Sequence, residues 1–152
     1  MATGTIFDDW ITFSEEVLFN GASAPNPSNF YAILCNTSTW DRTSSMAAVI
    51  ATELPAANGY TRQSYNPSTA TYVTANQRAE LPSVTVNWTI TGSSVQWDAI
   101  AIVADATGTP GNTTGRLVAF YKPSSAQTIP AGGQLNAPLR KIGANVGFVS
   151  GV

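Results

Sequence analysis

The chain is 152 residues long, carries a net charge of −2 with only 11% charged residues, and contains no histidine and a single cysteine. These features exclude Ser-His and Cys-His nucleophile pairs and the usual zinc or haem ligand sets, an internal disulfide framework, and binding that depends on neutralising phosphates. With 10% aromatics the chain is no disordered polymer either, and its length suits one domain with a proper core.

The opening MATGTIFDDW has neither a basic n-region nor an apolar h-region, so no signal peptide is expected. No apolar run approaches the roughly 18 residues of a membrane span. The first segment, Phe7 to Asn20, is the one long helical pattern. Ile6, Trp10, Phe13 and Val17 recur at helical spacing, with Phe7, Ile11 and Leu18 beside them, while Asp8, Asp9, Ser14, Glu15 and Glu16 fall mostly on the other face. Thr3 or Thr5 is expected to cap the start, where Asp8 and Asp9 suit the positive end of the dipole. Gly21 ends the helix before a linker containing Pro25 and Pro27. So many apolar groups on a short helix need a partner surface. The domain's own sheet is the commoner one, and a neighbouring subunit, by arm exchange, is the other.

From Asn29 onward the pattern becomes strands. Asn29 to Cys35 is apolar on both faces, as an interior strand is, and Cys35 within it reads as a small buried hydrophobe. Thr43 to Glu53 permits a short helix or turn, closed by Pro55. Asn58-Gly59 signals a turn ahead of Tyr60 to Tyr65, and Asn66-Pro67 another before Thr69 to Thr74. Val84, Val86, Trp88 and Ile90 alternate with Thr85, Asn87 and Thr89, the period of a half-buried strand. Trp97 to Asp105 has no polar face and is expected to be central. Gly108 to Gly115 is a hairpin tip leading to Arg116–Tyr121, Pro130 to Gly133 is a turn, and a last strand lies near Val146 to Val149. The expected fold is all-β (mainly β): an antiparallel β-sandwich with one N-terminal α-helix. Residues 1–28 form the helix, or arm, and its Pro-rich linker, and residues 29–152 the sandwich domain.

Little of the chain suggests chemistry. Asp8 with Asp9, and Glu15 with Glu16, are neighbours on a helix and point about 100° apart, so neither pair converges as a glycosidase or a metal cage requires. Asp98 and Asp105 flank an apolar strand at opposite ends, without the clustered spacing of a calcium loop. The Gly108 to Gly115 loop lacks the Gly-Lys-Ser/Thr ending of a phosphate-binding loop. The sequons at Asn36, Asn87 and Asn112 read as accidents of an Asn- and Thr-rich chain. No catalytic, cofactor-binding or metal residues are expected, and no enzymatic activity. The acidic start and the basic residues after Asp105 (Arg116, Lys122, Arg140, Lys141) can pair within the fold, pair between subunits, or remain scattered surface charge.

Trp10, Trp40, Trp88, Trp97 and five tyrosines offer platforms for a carbohydrate, but most are in phase with core-facing residues. Trp40 is the exception, sharing the loop Thr37 to Arg42 with Arg42, and this residue pair is enriched at interface hot spots. The candidate interface residues are therefore Ile6, Trp10, Phe13 and Val17 on the helix, with Trp40 and Arg42 in the loop.

The order of segments resembles a group of small virion proteins of tailed bacteriophages. The resemblance rests on several segments spread over most of the chain. These are the helix Phe7 to Asn20 followed by the strand and polar loop Phe30 to Trp40, and Glu53, Leu54, Gly59, Tyr60 and Arg62. Val86-Asn87-Trp88 then feeds Ala99 to Val103, and Arg116, Leu117 and Phe120 precede the apolar turn Ile129 to Leu135. The resemblance implies a capsid cement or decoration protein that assembles as a homo-oligomer, with a trimer favoured. It would be made in the host cytoplasm and would bridge major capsid protein subunits on the head exterior, with no cofactor, nucleic acid or membrane involved. Two alternatives stand beside it, a tail, baseplate or fibre component of the same virion and a carbohydrate-binding module.

Overall fold

The structure, a computed structural model, describes residues 2–66, 71–74, 78–80, 83–111, 114–142 and 146–150. At its centre lies a five-stranded antiparallel sheet in the order β2 (Thr5–Ile6), β10 (Arg116–Tyr121), β9 (Ala99–Ala104), β3 (Phe30–Cys35) and β4 (Gln63–Ser64). A second antiparallel sheet runs β1 (Ala2–Thr3), β13 (Val146–Ser150), β12 (Gln134–Ile142), β6 (Arg78–Glu80) and β5 (Thr71–Val73). Along most of its length β12 also pairs with β7 (Val84–Thr89), in the register Gln134↔Thr89 to Leu139↔Val84. β8 (Val95–Trp97) and β11 (Gln127–Ile129) form a separate ribbon. The helices are α1 (Asp8–Phe19) and the short α2 (Met46–Ile50), which Ser45 caps by accepting from the Ala48 N–H. The fold is mainly β and antiparallel, with one long N-terminal helix.

β3 and β9 lack a polar face because both faces of the central sheet are covered. They pair from Phe30↔Ala104 to Cys35↔Ala99, and alternate residues enter two separate cores. Ala32, Leu34, Ile100, Ile102 and Ala104 join Val86, Trp88, Ala137 and Leu139 of the second sheet in one cluster. Ile33, Cys35, Ala99, Ala101, Val103 and Leu117 form the other, roofed by Phe7, Trp40, Met46 and Val49 from the N-terminal segment and from residues 36–54. A bulge in β10 between Leu117 and Ala119 puts both Val118 and Ala119 into the first cluster, an extra residue that breaks strict alternation.

Several elements differ from the sequence pattern. Ile6 is not on the helix: it pairs with Ala119 in β2 and is buried. Neither Thr3 nor Thr5 caps α1. The Ncap is Phe7, without a side-chain cap, because the chain passes directly from strand to helix, with the Phe7 N–H bonded to Val118 O and the Asp8 N–H to Arg42 O. Trp97 belongs to β8, since Asp98 interrupts the run and turns its N–H to Cys35 O and its carboxylate to the Ser38 N–H. Tyr60 to Tyr65 contributes only the two residues of β4, and the described part of Thr69 to Thr74 contributes β5. Pro67, Thr69 and the sequon Asn112 lie outside the described residues. α1 packs on β10 of its own chain, and Gly21 follows its C-cap Asn20 in the left-handed conformation (φ 71°) that a helix end favours.

Cys35 is fully buried, and burial above all pushes its thiol up to about 12. The unfolded thiol ionises near its ordinary value of 9.0 while the folded one stays protonated, so the native state holds more protons between these limits. Stability is therefore expected to fall as pH rises from about 9 toward 12, with the thiol's contribution intact below that window. Thermal melts of wild type and Cys35→Ala across this range check the point: the variant should show a shallower alkaline decline. The native thiol should also resist alkylation until the chain unfolds.

Candidate functional site

Three side-chain constellations draw on residues singled out in the sequence. The first closes the connection between α2 and β4. Asn58 (φ 56°) and Gly59 (φ 85°) both adopt positive φ, and this tight turn brings Tyr60 and Arg62 back toward Glu53. The Tyr60 hydroxyl accepts from the Leu34 N–H at 3.1 Å and donates to Glu53 Oε1 at 3.0 Å. Arg62 grips the same carboxylate twice, Nε to Oε1 at 2.8 Å and Nη2 to Oε2 at 2.6 Å, and donates through Nη1 to Pro110 O. Burial, then the Glu53 charge, raises the Tyr60 phenol, and the bond to Glu53 raises Arg62. This is a saturated clip that ties β3 and the β9–β10 hairpin to one carboxylate, with its acid and base groups already committed to each other. A shallow depression of about 420 Å³ beside it is lined by Ala47, Ile50, Ala51, Glu53 and Leu54.

The second constellation surrounds Trp40. The expectation of an exposed loop aromatic is corrected here: Trp40 is 5% exposed. The indole packs at 5.8 Å from Phe7 and edge-on at 5.2 Å from Phe120, and its Nε1 donates to Thr52 Oγ1 at 2.7 Å. The Lys122 ammonium lies 4.1 Å from the ring centroid and donates to Ser38 O at 2.8 Å and to Trp40 O. Desolvation lowers the pKa of this lysine. Lys122 thus replaces solvent for two carbonyls and holds the loop down over the second core. Lys122→Met removes both bonds and the cation–π contact; an expected loss of about 2 kcal/mol should appear in chemical denaturation, with a shift in Trp40 emission. An unchanged midpoint and spectrum would contradict this role.

The third constellation is α1. Asp9 accepts from the Leu117 N–H at 2.9 Å and from Arg116 Nη1 at 3.0 Å, Glu16 lies 3.7 Å from Arg116 Nη2, and the Arg116 guanidinium sits 4.5 Å from the Phe13 ring centroid. Here the acidic start and a later basic residue pair within the fold. Arg42 is exposed and pairs with Asp8 across the surface, an arrangement that contributes little to stability.

Among the candidate interface residues, then, Ile6, Phe13 and Trp40 are buried, Trp10 and Val17 are half-buried, and Arg42 alone is exposed. Trp10 packs 5.6 Å from Phe13 and 5.7 Å from Phe30. The large apolar groups left in solvent among the described residues are instead Ile11 at 39%, Leu18 at 71% and Phe19 at 77% exposure. Ile11 and Leu18 stand one heptad apart on the outer face of α1, and Phe19 adjoins Leu18. Beside them runs a groove of about 250 Å³ lined by Trp10, Phe13, Val17, Leu18, Ala24 and Pro25. The signal for this surface was the apolar excess of the segment, more than one sheet edge covers.

The platforms for a carbohydrate are largely withdrawn: Trp40, Trp88, Trp97, Tyr60, Tyr65 and Tyr121 are all buried. Among the described residues no three Cys, Asp or Glu side chains come together to hold a metal. Set against known proteins, the chain matches no family model, no curated protein and no solved structure.

Proposed function

We propose that this protein is a non-enzymatic structural component of a tailed-phage virion, a capsid cement protein that bridges major-capsid subunits on the head exterior as a homo-oligomer, with a trimer favoured. One observation carries the reading: two large apolar side chains, Leu18 and Phe19, project into solvent from a helix that packs on β10 of its own chain. The segment order set out above supports the virion setting, and a core shared by both sheets supports the β-sandwich architecture. The patch is small, and a contact that holds alone buries about 1,000 Å² or more. Several protomers acting together convert such modest contacts into high avidity. Light scattering on the pure protein, followed by co-sedimentation with purified phage heads, tests the reading. An oligomer that pellets with heads is expected; a monomer that stays in the supernatant contradicts it.

The tail, baseplate or fibre reading shares the same surface, and copy number separates the two: hundreds per particle for the head, at most a few dozen for the tail. The carbohydrate-binding alternative has lost its main support, since the indoles it needed lie in or against the cores.

A further inference from the structure

The sequence contains two Asn-Gly dipeptides, Asn20-Gly21 and Asn58-Gly59, and the fold treats them differently. We propose that Asn20 is a site of spontaneous deamidation, whereas Asn58 is held out of the same reaction by its turn. In this chemistry the Gly21 backbone nitrogen attacks Asn20 Cγ. A nitrogen–carbon bond forms, the Cγ–Nδ2 bond breaks, and ammonia departs with the proton from the attacking amide. Water then opens the cyclic imide at either carbonyl, leaving aspartate or a main chain rerouted through the side chain as isoaspartate. Nothing is oxidised or reduced, and solvent is the only co-reactant.

Rotation about the Asn20 backbone and free access to the Gly21 nitrogen are what the step requires. Asn20 is exposed at the end of α1, and at Gly21 the position of an absent Cβ has nothing within 4 Å. The bonds that anchor this end are the Asn20 N–H and the Ala22 N–H, both to Glu16 O, at 2.9 and 3.2 Å. No regular structure follows until Pro27. At the second dipeptide, Asn58 Oδ1 accepts from the Ser93 N–H at 3.1 Å, and Asn58 O accepts from the N–H groups of Thr91 and Gly92. Gly59 is wedged so closely that a Cβ there would stand 2.6 Å from Thr91 Oγ1 and 3.0 Å from Thr89 O. Neither the amide nor the backbone can turn without breaking the junction with residues 89–93.

The product places a carboxylate at the negative end of the helix dipole, four residues from Glu16 and beside Leu18 and Phe19. On the proposed contact reading this charge weakens assembly as the protein ages; that consequence rests on the reading, and the conversion itself does not.

The experiment is a time course of the full chain at mildly alkaline pH, read by peptide mass spectrometry for the gain of one dalton and by isoaspartate methylation. In the folded protein, conversion at Asn20 should outpace that at Asn58 tenfold or more, and in urea the two rates should converge. Equal rates in the folded protein, or Asn58 ahead, would overturn the proposal. Asn20→Asp reproduces one product and separates the claims. Unchanged assembly of that variant would contradict the contact reading and leave the measured conversion standing.

Discussion

Arg62→Met is expected to lower the unfolding free energy by about 3 kcal/mol, a large share of the roughly 5–15 kcal/mol that holds a domain of this size together. The arginine side chain is 22% exposed and its Glu53 partner 12%. Removing the guanidinium strands a desolvated carboxylate that keeps, among the described residues, the Tyr60 hydroxyl as its side-chain donor, and it frees Pro110 O in the β9–β10 hairpin. Breaking a buried pair from one side costs about 3–5 kcal/mol, and the partial exposure here places the effect at the lower end. Glu53→Gln added to Arg62→Met should recover part of the loss, because it removes the uncompensated charge. Urea titration reads both effects as shifts in midpoint at constant slope. A loss under about 1 kcal/mol would rank the clip with ordinary surface pairs.

The second large effect concerns assembly alone. Leu18→Ser with Phe19→Ser should leave the melting profile nearly unchanged, since both side chains already stand in solvent. If these groups are buried against a neighbour, each contributes about 1.5–3 kcal/mol at the contact. Their joint removal then weakens each contact by about a hundredfold or more, and avidity multiplies the loss over the oligomer. Asn87→Ala, on the exposed face of β7, serves as the control and should assemble normally. A double variant that oligomerises and binds particles like wild type would contradict the assignment of this face.

Strands with a strict period were legible in the sequence. β7 shows its alternation of valine, tryptophan and threonine, and β9, apolar throughout, declared itself central. β12 escaped because Pro138, Arg140 and Lys141 interrupt it, although Leu135, Ala137 and Leu139 keep the period of two. Trp40 was misread because what buries it, Lys122 and Phe120, arrives from a strand about eighty residues away. Glu53, Tyr60 and Arg62 stood out as part of a segment pattern, but no spacing rule announces a clip formed across a left-handed turn. On α1 the apolar excess was plain, and its division was not. Which groups face inward depends on where the helix begins, and the pairing of Thr5–Ile6 (β2) with β10 sets that start later than the pattern suggested.

Among the described residues, the thiol and the Glu53 clip are engaged within the protein. Its one cysteine is buried and protonated, and its best-placed tyrosine and arginine are locked to a single glutamate. What it offers outward is a neutral polar surface and one apolar helix end. The most direct test is electron microscopy of purified virions with the chain located in the density and its copies counted. The account predicts hundreds of copies on the outside of the head, in oligomers with the Leu18–Phe19 end of α1 in contact with a neighbour. Virions that contain none of this chain, or copies whose α1 end faces open solvent, would contradict it.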